Sequence, residues 1–272
     1  SKWNDPTNRP RLFYENTRRD TDGNFLEQPI TVKPTVVRHP TVPYDESSNT
    51  PNVMVLFGTG RLNTEEDKSD TGVQTFYGIW DRGESQLTAS DDLVAQEFIV
   101  VEDDSARVTK PSLEVNYTGG EFGWYIDLPA DTGERVVSDA VARGNMIFFN
   151  TVIPNDDPCA YGGTGWEMLV RIENGGSSMS PVVDHTGDTV VNEDDRVEVL
   201  LPGGDNEKTY VGYSGKKIDD DEGLPSGPAI VGDKLFTRGS TESDTPRDTA
   251  LAPVTGSAPV GRLSWEQLFP SQ

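Results

Sequence analysis

The residues with the clearest capacity for chemistry form an acidic loop between positions 184 and 195. Across these twelve residues, side-chain oxygens fall at the first, third, fifth, ninth and twelfth places, and a backbone carbonyl would serve at the seventh. The positions are Asp184, Thr186, Asp188, Val190, Asn192 and Asp195. Calcium takes about six to eight oxygen ligands, and a loop wound around the ion supplies them from alternating positions. The spacing therefore predicts a calcium site in this loop.

Two features of the acidic loop depart from the calcium pattern. The sixth place normally holds a glycine with positive φ, but here it holds Thr189, whose branched side chain makes that conformation costly. Thr186 is neutral where an acidic or amide side chain is preferred. The alternative is a solvated acidic turn, because a chain with 46 acidic residues matches such patterns readily. A shorter acidic stretch, Asp20–Asn24 followed by Glu27, is interpreted as a plain turn.

The other reactive side chains do not form a recognisable catalytic set. His39 precedes Pro40 at a predicted strand end, which favours a structural role. Ser214 has glycines at 212 and 215, which is not the glycine spacing of a nucleophile elbow, and the sequence places no base beside it or beside Cys159. A glycosidase-type carboxylate pair stays open, but nothing in the sequence selects one pair. We therefore expect a protein that is not an enzyme.

The composition limits the classes of partner. With 46 acidic against 23 basic residues the formal charge is −23, which argues against nucleic acid because phosphate backbones are repelled. No stretch approaches the ~18 apolar residues of a membrane span. Cys159 is the single cysteine, so an internal disulfide and a cysteine-based zinc site are excluded. We expect this thiol to be buried, or to pair with a segment outside this chain.

The elements that must position these residues are predicted to be strands. The chain has 27 Gly and 19 Pro, and its apolar runs are short, aromatic and β-branched, which favours sheet over helix. Strands are predicted at Thr35–His39, Val53–Gly58, Gln74–Trp80, Gln96–Val101, Gly123–Leu128, Arg135–Ser138, Met146–Val152, Trp166–Ile172, Val197–Leu201, Thr209–Tyr213, Ala229–Val231 and Lys234–Arg238. Short helices are predicted at Asp91–Gln96 and Ser264–Leu268.

Local turn signals predict two hairpins. One joins residues 124–128 to residues 134–137, and the other joins Ala229–Val231 to residues 234–236 across Gly232 and Asp233. The bridge formed by residues 63–72 is so polar that we expect it to lie on the surface.

A loose repeat favours a propeller. Three strands, at residues 76–81, 123–128 and 165–172, each carry an aromatic-glycine or glycine-tryptophan step, about 42 to 45 residues apart. Propeller blades of four strands repeat at roughly 40–50 residues. The sequence therefore predicts an all-β chain, part of a modified β-propeller built of antiparallel blades with long loops.

The run Val55–Arg61, followed by Asp70–Asp81, closely resembles the C-terminal propeller of the PilY family, the tip-associated adhesins and biogenesis factors of type IV pili. Further segments are similar to that family in the same order. They are Gln28–Thr31 with Pro34 and Arg38–Pro40, Gly123–Pro129, Gly133–Ser138, Ile153–Pro154 with Asp157–Cys159 and Gly162–Trp166, and finally Gly261–Leu268.

This resemblance implies a type IV pilus assembly and cell-surface adhesion factor at the pilus tip, with calcium linked to pilus extension and retraction. Its partners would be the minor pilins of the tip complex and a host or surface receptor. Its location would be the fimbrium or cell surface, reached by export through the periplasm. Residues 1–272 look like only the later blades, so we expect earlier blades and the family's main calcium loop upstream of Ser1. The acidic loop resembles an aspartate-rich insertion of relatives.

An enzyme of the quinoprotein type is the alternative from another functional class. Its blades also use glycine-tryptophan strands over a calcium ion. Such an enzyme typically clamps its cofactor with adjacent cysteines, and the single Cys159 argues against it.

Overall fold

The computed structural model of the chain describes residues 12–20, 22–47, 50–83, 87–101, 105–110, 113–155, 161–200, 208–218, 221–241 and 246–254. Within these ranges the chain is all-β, as predicted. The strands are β1 (Tyr14–Glu15), β2 (Thr35–Arg38), β3 (Val53–Gly58), β4 (Thr75–Asp81), β5 (Leu87–Thr88), β6 (Val94–Gln96), β7 (Phe98–Val101), β8 (Ala106–Thr109), β9 (Gly123–Asp127), β10 (Val141–Arg143), β11 (Met146–Pro154), β12 (Gly163–Arg171), β13 (Arg196–Leu200), β14 (Lys208–Gly212), β15 (Gly215–Lys217), β16 (Ala229–Val231), β17 (Lys234–Thr237) and β18 (Arg247–Ala250).

Helix is confined to single turns. The two α-helices are α1 (Glu65–Lys68) and α2 (Ala89–Asp92), and a 3₁₀ turn covers Glu193–Asp195. Neither α-helix of the described ranges has the length and apolar character to cross a bilayer.

Two large open sheets form the centre of the molecule. The first has the order β2-β3-β4-β9-β6 and is antiparallel except for the parallel pair β6 and β9. The second has the order β10-β11-β12-β15-β8-β7 and is antiparallel throughout. Its spine is the long β11–β12 hairpin, which runs in register from the Met146–Arg171 pair to the Pro154–Gly163 pair. The apolar runs of β3, β4, β11 and β12 explain why the sequence predicted these four strands.

The inner faces of the two large sheets share one core. Phe76 of β4 stacks on Phe149 of β11 with ring centroids 3.9 Å apart. Trp124 of β9 is fully buried, and its indole N–H donates to the carbonyl of Ile172 at 2.9 Å. Gly78 lies directly opposite Trp124 in the register, and a Cβ at Gly78 would lie 2.4 Å from the Trp124 Cε2 atom. The glycine of the Tyr-Gly-Ile step is therefore required by the ring beside it.

His39 lies in this core, consistent with the structural role predicted for it. Its ring packs edge-on against Tyr117, with centroids 4.3 Å apart, and against Trp80, with centroids 5.0 Å apart. The Nδ1 atom accepts the backbone N–H of Val42 at 3.0 Å. Burial lowers the pKa of His39 to about 4, so the imidazole is neutral at physiological pH.

Three smaller sheets surround the centre. They are the parallel pair β1–β5, the hairpin β13–β14 and the three-stranded sheet β16-β17-β18. The predicted hairpin of β16 and β17 across Gly232 and Asp233 is confirmed, with Val231 opposite Lys234. The β13–β14 hairpin packs through Val199 and Val211 on Val108 of β8.

The repeat interpretation needs correction. Its first two members, in β4 and β9, are hydrogen-bonded neighbours within one sheet, and the third, in β12, belongs to the other large sheet. The spacing of about 42 to 45 residues in the sequence therefore does not separate successive sheets. The similarity of these segments reflects a shared packing need, because each places a glycine where a neighbour comes close: the Trp124 ring at Gly78, the backbone of Gly78 at Gly123, and the Thr151 carbonyl at Gly165.

The predicted hairpin of residues 124–128 with 134–137 is wrong, as is the predicted strand Arg135–Ser138. The neighbours of β9 are β4 and β6, and Arg135 forms only an isolated bridge with Val152. The physical reason is the Arg135 side chain, which is buried and donates to the carbonyls of Arg61 and Asp67 at 3.0 and 2.6 Å. These contacts draw the segment toward residues 61–70 and away from β9.

Two further expectations fail locally. The helix predicted at Asp91–Gln96 lies at Ala89–Asp92, where the Asp92 carboxylate accepts the Thr88 N–H at 2.7 Å, and the residues from Val94 onward form β6. The predicted strand Gln96–Val101 is divided between β6 and β7 in different sheets.

The polar bridge at residues 63–72 contains α1, and Asp67 within it is buried rather than on the surface. Its carboxylate accepts the Nε–H of Arg61 at 2.6 Å and the backbone N–H groups of Asn63 and Thr64. Three donors compensate the burial of one carboxylate. The predicted helix Ser264–Leu268 and Cys159 lie outside the described residues.

Candidate functional site

The acidic loop connects the edge of the three-stranded sheet to β13. Before the loop, Val183 forms an antiparallel bridge with Leu251, just after β18. After the loop, the 3₁₀ turn Glu193–Asp195 leads directly into β13. The first and last predicted ligands are buried, with Asp184 5% and Asp195 1% exposed. The loop is thus anchored at both ends by a buried carboxylate.

Asp184 organises the first half of the loop. Its Oδ1 accepts the N–H groups of Gly187 at 2.6 Å and Asp188 at 3.2 Å, and the Thr186 hydroxyl at 3.3 Å. Its Oδ2 accepts the N–H of Thr189 at 2.8 Å. These bonds from successive residues wrap the chain around one carboxylate.

Asp195 organises the second half of the loop. Its Oδ1 accepts the N–H groups of His185 at 2.8 Å and Thr186 at 3.0 Å, and its Oδ2 accepts that of Asn192 at 3.0 Å. Burial acts to raise the pKa of Asp195, but these backbone N–H donors outweigh it, and the pKa lies below its usual value. The carboxylate is therefore ionised at neutral pH and closes the loop onto its own start.

Thr189 adopts the conformation that the calcium pattern demands of its sixth place. Its φ is +72°, in the left-handed region that a β-branched residue rarely occupies. The hydrogen bond from its N–H to Asp184 stabilises this strained turn. The left-handed turn thus lies at the sixth place of the loop, although the residue type is unfavourable.

The predicted ligand atoms have other partners in this structure. Asp188 is exposed and its Oδ1 accepts the N–H of Val190 at 2.8 Å, while the Asn192 side-chain oxygen accepts the N–H of Asp194 at 2.6 Å. Among the predicted ligands, the Thr186 hydroxyl and the Asp184 carboxylate are hydrogen-bonded to each other. In the described part of the chain, no three or more His, Cys, Asp or Glu side chains are grouped closely enough to hold a metal ion. Any ion would have to recruit backbone carbonyl and hydroxyl oxygens as well.

A groove with a volume of about 670 Å³ adjoins the loop. It lies between residues 184–189, the β15 residue Lys216 and the outer sheet β16-β17-β18. Residues that line it form ion pairs, namely Lys234 with Asp248 at 2.6 Å and Arg247 with Glu167 of β12 at 2.5 Å. Sequence analysis missed this groove, because β15 and β18 are short, polar segments without an apolar pattern to predict them.

Comparison with known proteins relates the chain to pilus proteins. No family model matches it. The type IV pilus biogenesis factor PilY1 of Pseudomonas aeruginosa strain PAO1 is 31% identical over 196 residues, which cover 63% of this chain and 16% of that protein. The chain is a homologue of PilY1. A PilY1 homologue of Xylella fastidiosa is 30% identical over 139 residues, covering 47% of this chain and 9% of that protein. The resemblance inferred from the sequence motifs is therefore confirmed.

The fold agrees with this relationship. The crystal structure of the Pseudomonas aeruginosa PilY1 C-terminal domain matches with a TM-score of 0.59 at 22% identity, over 87% of this chain and 47% of that one. The chain spans about a sixth of the length of the PilY1 proteins of Pseudomonas aeruginosa.

Proposed function

We propose that the chain belongs to a type IV pilus biogenesis factor, in which it serves as a non-enzymatic binding module. The observation that carries this proposal is the 31% identity with PilY1 across 63% of the chain. A shared all-β fold with the PilY1 C-terminal domain supports it. The rigid two-sheet core, with fully buried Phe76, Trp124 and Phe149, suits a scaffold that presents loops and strand edges to partners.

The finer parts of the proposal follow the family. The module would act at the pilus tip and on the cell surface after export through the periplasm, contacting minor pilins and a host or surface receptor. Its two large sheets would be blades of a modified β-propeller, with residues 1–272 as its C-terminal part. The formal charge of −23 favours partners or receptors with a basic surface over anionic ones.

Deleting residues 12–254 from the gene in its native bacterium is expected to abolish or strongly reduce surface pili, because the homologous factors are named for pilus biogenesis. Piliation is measured by electron microscopy and by shearing pili from the cells, with immunoblots showing that the shortened protein is made. The control exchanges Glu65, exposed on α1, for Ala and should leave piliation unchanged. Wild-type pilus numbers in the deletion strain would contradict the proposal, and reduction of a redox dye with added quinone would favour the quinoprotein alternative.

We also propose that the acidic loop binds calcium through Asp184, Thr186, Asp188, Val190, Asn192 and Asp195. The left-handed turn at Thr189 supports this, since it occurs where a calcium loop needs positive φ. The Oδ2 atoms of Asp184 and Asp195 each accept one backbone N–H, which leaves each oxygen further capacity as an acceptor. Calcium there would tie the outer sheet to β13 through one ion.

Calcium is expected to raise the melting temperature, because an ion that binds only the folded state stabilises it by about 2.7 kcal/mol at 100 times its dissociation constant. The Asp188→Ala variant should lose this rise, since Asp188 is exposed and its removal leaves the buried anchors intact. Differential scanning calorimetry with calcium, magnesium and chelator measures the effect. The matched control, Asp194→Ala, removes an exposed carboxylate outside the predicted ligand set and should keep the wild-type response. An undiminished calcium response in Asp188→Ala would exclude this loop as the site.

A further inference from the structure

The backbone pairing of β18 shows which of its polar groups face outward. The N–H of Leu251 donates to the carbonyl of Asp233 at 2.9 Å, so the 233–251 pair is a hydrogen-bonded pair of the β17–β18 ladder. Hydrogen-bonded and non-hydrogen-bonded pairs alternate in an antiparallel ladder. The backbone groups of Thr249 therefore point toward β17, whereas those of Asp248 and Ala250 point toward the opposite edge.

That opposite edge is only partly occupied. Residues preceding the acidic loop pair with it, since the N–H of Asp184 donates to the Ala250 carbonyl at 2.9 Å and the N–H of Ala252 donates to the Val182 carbonyl at 2.8 Å. Continuing this register would place Thr186 opposite Asp248. The chain instead turns away at Gly187, whose N–H is taken by the Asp184 carboxylate. In the ranges that the structure describes, no strand pairs with β18 opposite Asp248.

The groove of about 670 Å³ lies where the ladder would have continued. It is open along β18, and its lining residues are Asp184, Gly187, Thr189, Lys216, Val231, Asp233, Lys234, Arg247, Asp248, Thr249, Ala250 and Leu251. Unpaired edge groups in such a groove are a template for an added strand, because an incoming backbone can supply the missing donors and acceptors.

The charges in the groove select the side chains of such a strand. Lys234 is paired with Asp248 at 2.6 Å, and Arg247 with Glu167 at 2.5 Å. Lys216 differs, because among the described residues its ammonium contacts the carbonyl oxygen of His185, at 3.4 Å, and no carboxylate. An acidic side chain on an incoming segment would give the Lys216 ammonium group a carboxylate partner.

We propose that the β18 edge at Asp248, next to the stretch already paired with Asp184, binds an extended peptide segment by strand addition, and that Lys216 receives an acidic side chain of that segment. Backbone hydrogen bonds to Asp248 would supply binding, and Lys216 would supply selectivity. The inference goes beyond the proposed pilus role and does not depend on calcium in the loop.

Binding is tested with the full chain and a fluorescein-labelled hexapeptide, Thr-Val-Glu-Val-Thr-Val, by fluorescence anisotropy. Two matched peptides carry Lys in place of Glu, or N-methyl groups on alternate backbone nitrogens. We expect the Glu peptide to bind at least about 10-fold more tightly than either, which corresponds to ~1.4 kcal/mol. Absence of binding up to ~1 mM Glu peptide, or equal binding of the N-methylated peptide, would overturn strand addition.

Two variants of one residue locate the site. Asp248→Pro removes an edge N–H without removing a bond to β17, and edge strands tolerate proline at such positions. It is expected to weaken binding at least about 10-fold, whereas Asp248→Ala keeps the N–H and should bind within ~3-fold of wild type.

The Lys216→Gln variant should bind the Glu and Lys peptides with equal affinity. Circular dichroism confirms folding of each variant, and the peptide series decides the outcome if Asp248→Pro does not fold. Unchanged binding by a folded Asp248→Pro variant would place the peptide elsewhere and overturn the proposal.

Discussion

Replacing Glu134 with glutamine is expected to lower the free energy of unfolding by about 3–5 kcal/mol, because it leaves a buried arginine without its counter-charge. Glu134 and Arg107 are 1% and 4% exposed. Both guanidinium Nη atoms donate to the carboxylate at 2.8 Å, and the Thr151 hydroxyl donates to the same carboxylate at 2.6 Å. The guanidinium also lies over the Trp166 ring, 3.6 Å from its centroid. The amide of glutamine cannot supply a negative charge to this enclosed cation.

Urea unfolding followed by tryptophan fluorescence measures the loss, with the slope of the transition checked for constancy. The matched control is Glu65→Gln, which breaks the exposed Glu65–Lys68 pair and should cost no more than about 0.5 kcal/mol. Replacing both partners, as Arg107→Met with Glu134→Leu, should recover most of the loss, since well-packed apolar side chains often replace a buried ion pair without penalty. A cost below about 1 kcal/mol for Glu134→Gln would show that the pair is solvated in solution.

This ion pair also shows where sequence reasoning reaches its limit. The strands with long apolar runs were predicted within three residues at each end, among them Val53–Gly58 and Met146–Pro154. Their own residues specify strand, because short runs of β-branched, aromatic and other apolar side chains suit a buried sheet. Glu134 was instead placed in a hairpin with residues 124–128, because its true partner, Arg107, lies 27 residues away in sequence and carries no local signal.

The strands that the sequence did not predict are held in place by pairing with neighbouring strands. β15 consists of Gly215, Lys216 and Lys217, and β18 of Arg247 to Ala250, so neither has apolar alternation. Gly215 is nevertheless held in the second sheet between Met168 and Arg107. Tertiary pairing overrides weak intrinsic preference in such segments.

The candidate site also has one part that the sequence indicates and one part that it does not. Thr189 has a φ of +72° at the place where the calcium pattern needs positive φ, although its residue type counts as a departure from that pattern. The groove depends on where Asp184 meets Ala250, a contact between residues 66 positions apart that no local pattern encodes. Spacing within one loop is readable from sequence, whereas a surface built from four separated segments is not.

Replacing Trp124 with alanine is expected to lower the free energy of unfolding by about 3–5 kcal/mol, the usual cost of removing a large aromatic side chain from a core. Trp124 is fully buried, and its indole lies between Gly78 and Gly175. A Cβ at these glycines would lie 2.4 and 2.5 Å from indole carbons. The three residues form one packed unit, because the ring fills space that the glycines leave open.

Gly78→Ala is expected to cost about 1–3 kcal/mol in the wild-type chain, because the added methyl group overlaps a ring that cannot move. In the Trp124→Ala background the same change should cost less than about 0.5 kcal/mol, because the methyl group then enters the cavity that the ring vacated. Unfolding of the wild type, both single variants and the double variant completes the cycle. If the two costs simply add, the close approach of Gly78 and Trp124 does not constrain the fold, and the glycine in the Tyr-Gly-Ile step needs another explanation. If the two costs are coupled as expected, the glycine of the Tyr-Gly-Ile step is needed because Trp124 lies opposite it on the neighbouring strand. The step therefore occurs in β4 beside β9 rather than at a fixed interval along the chain.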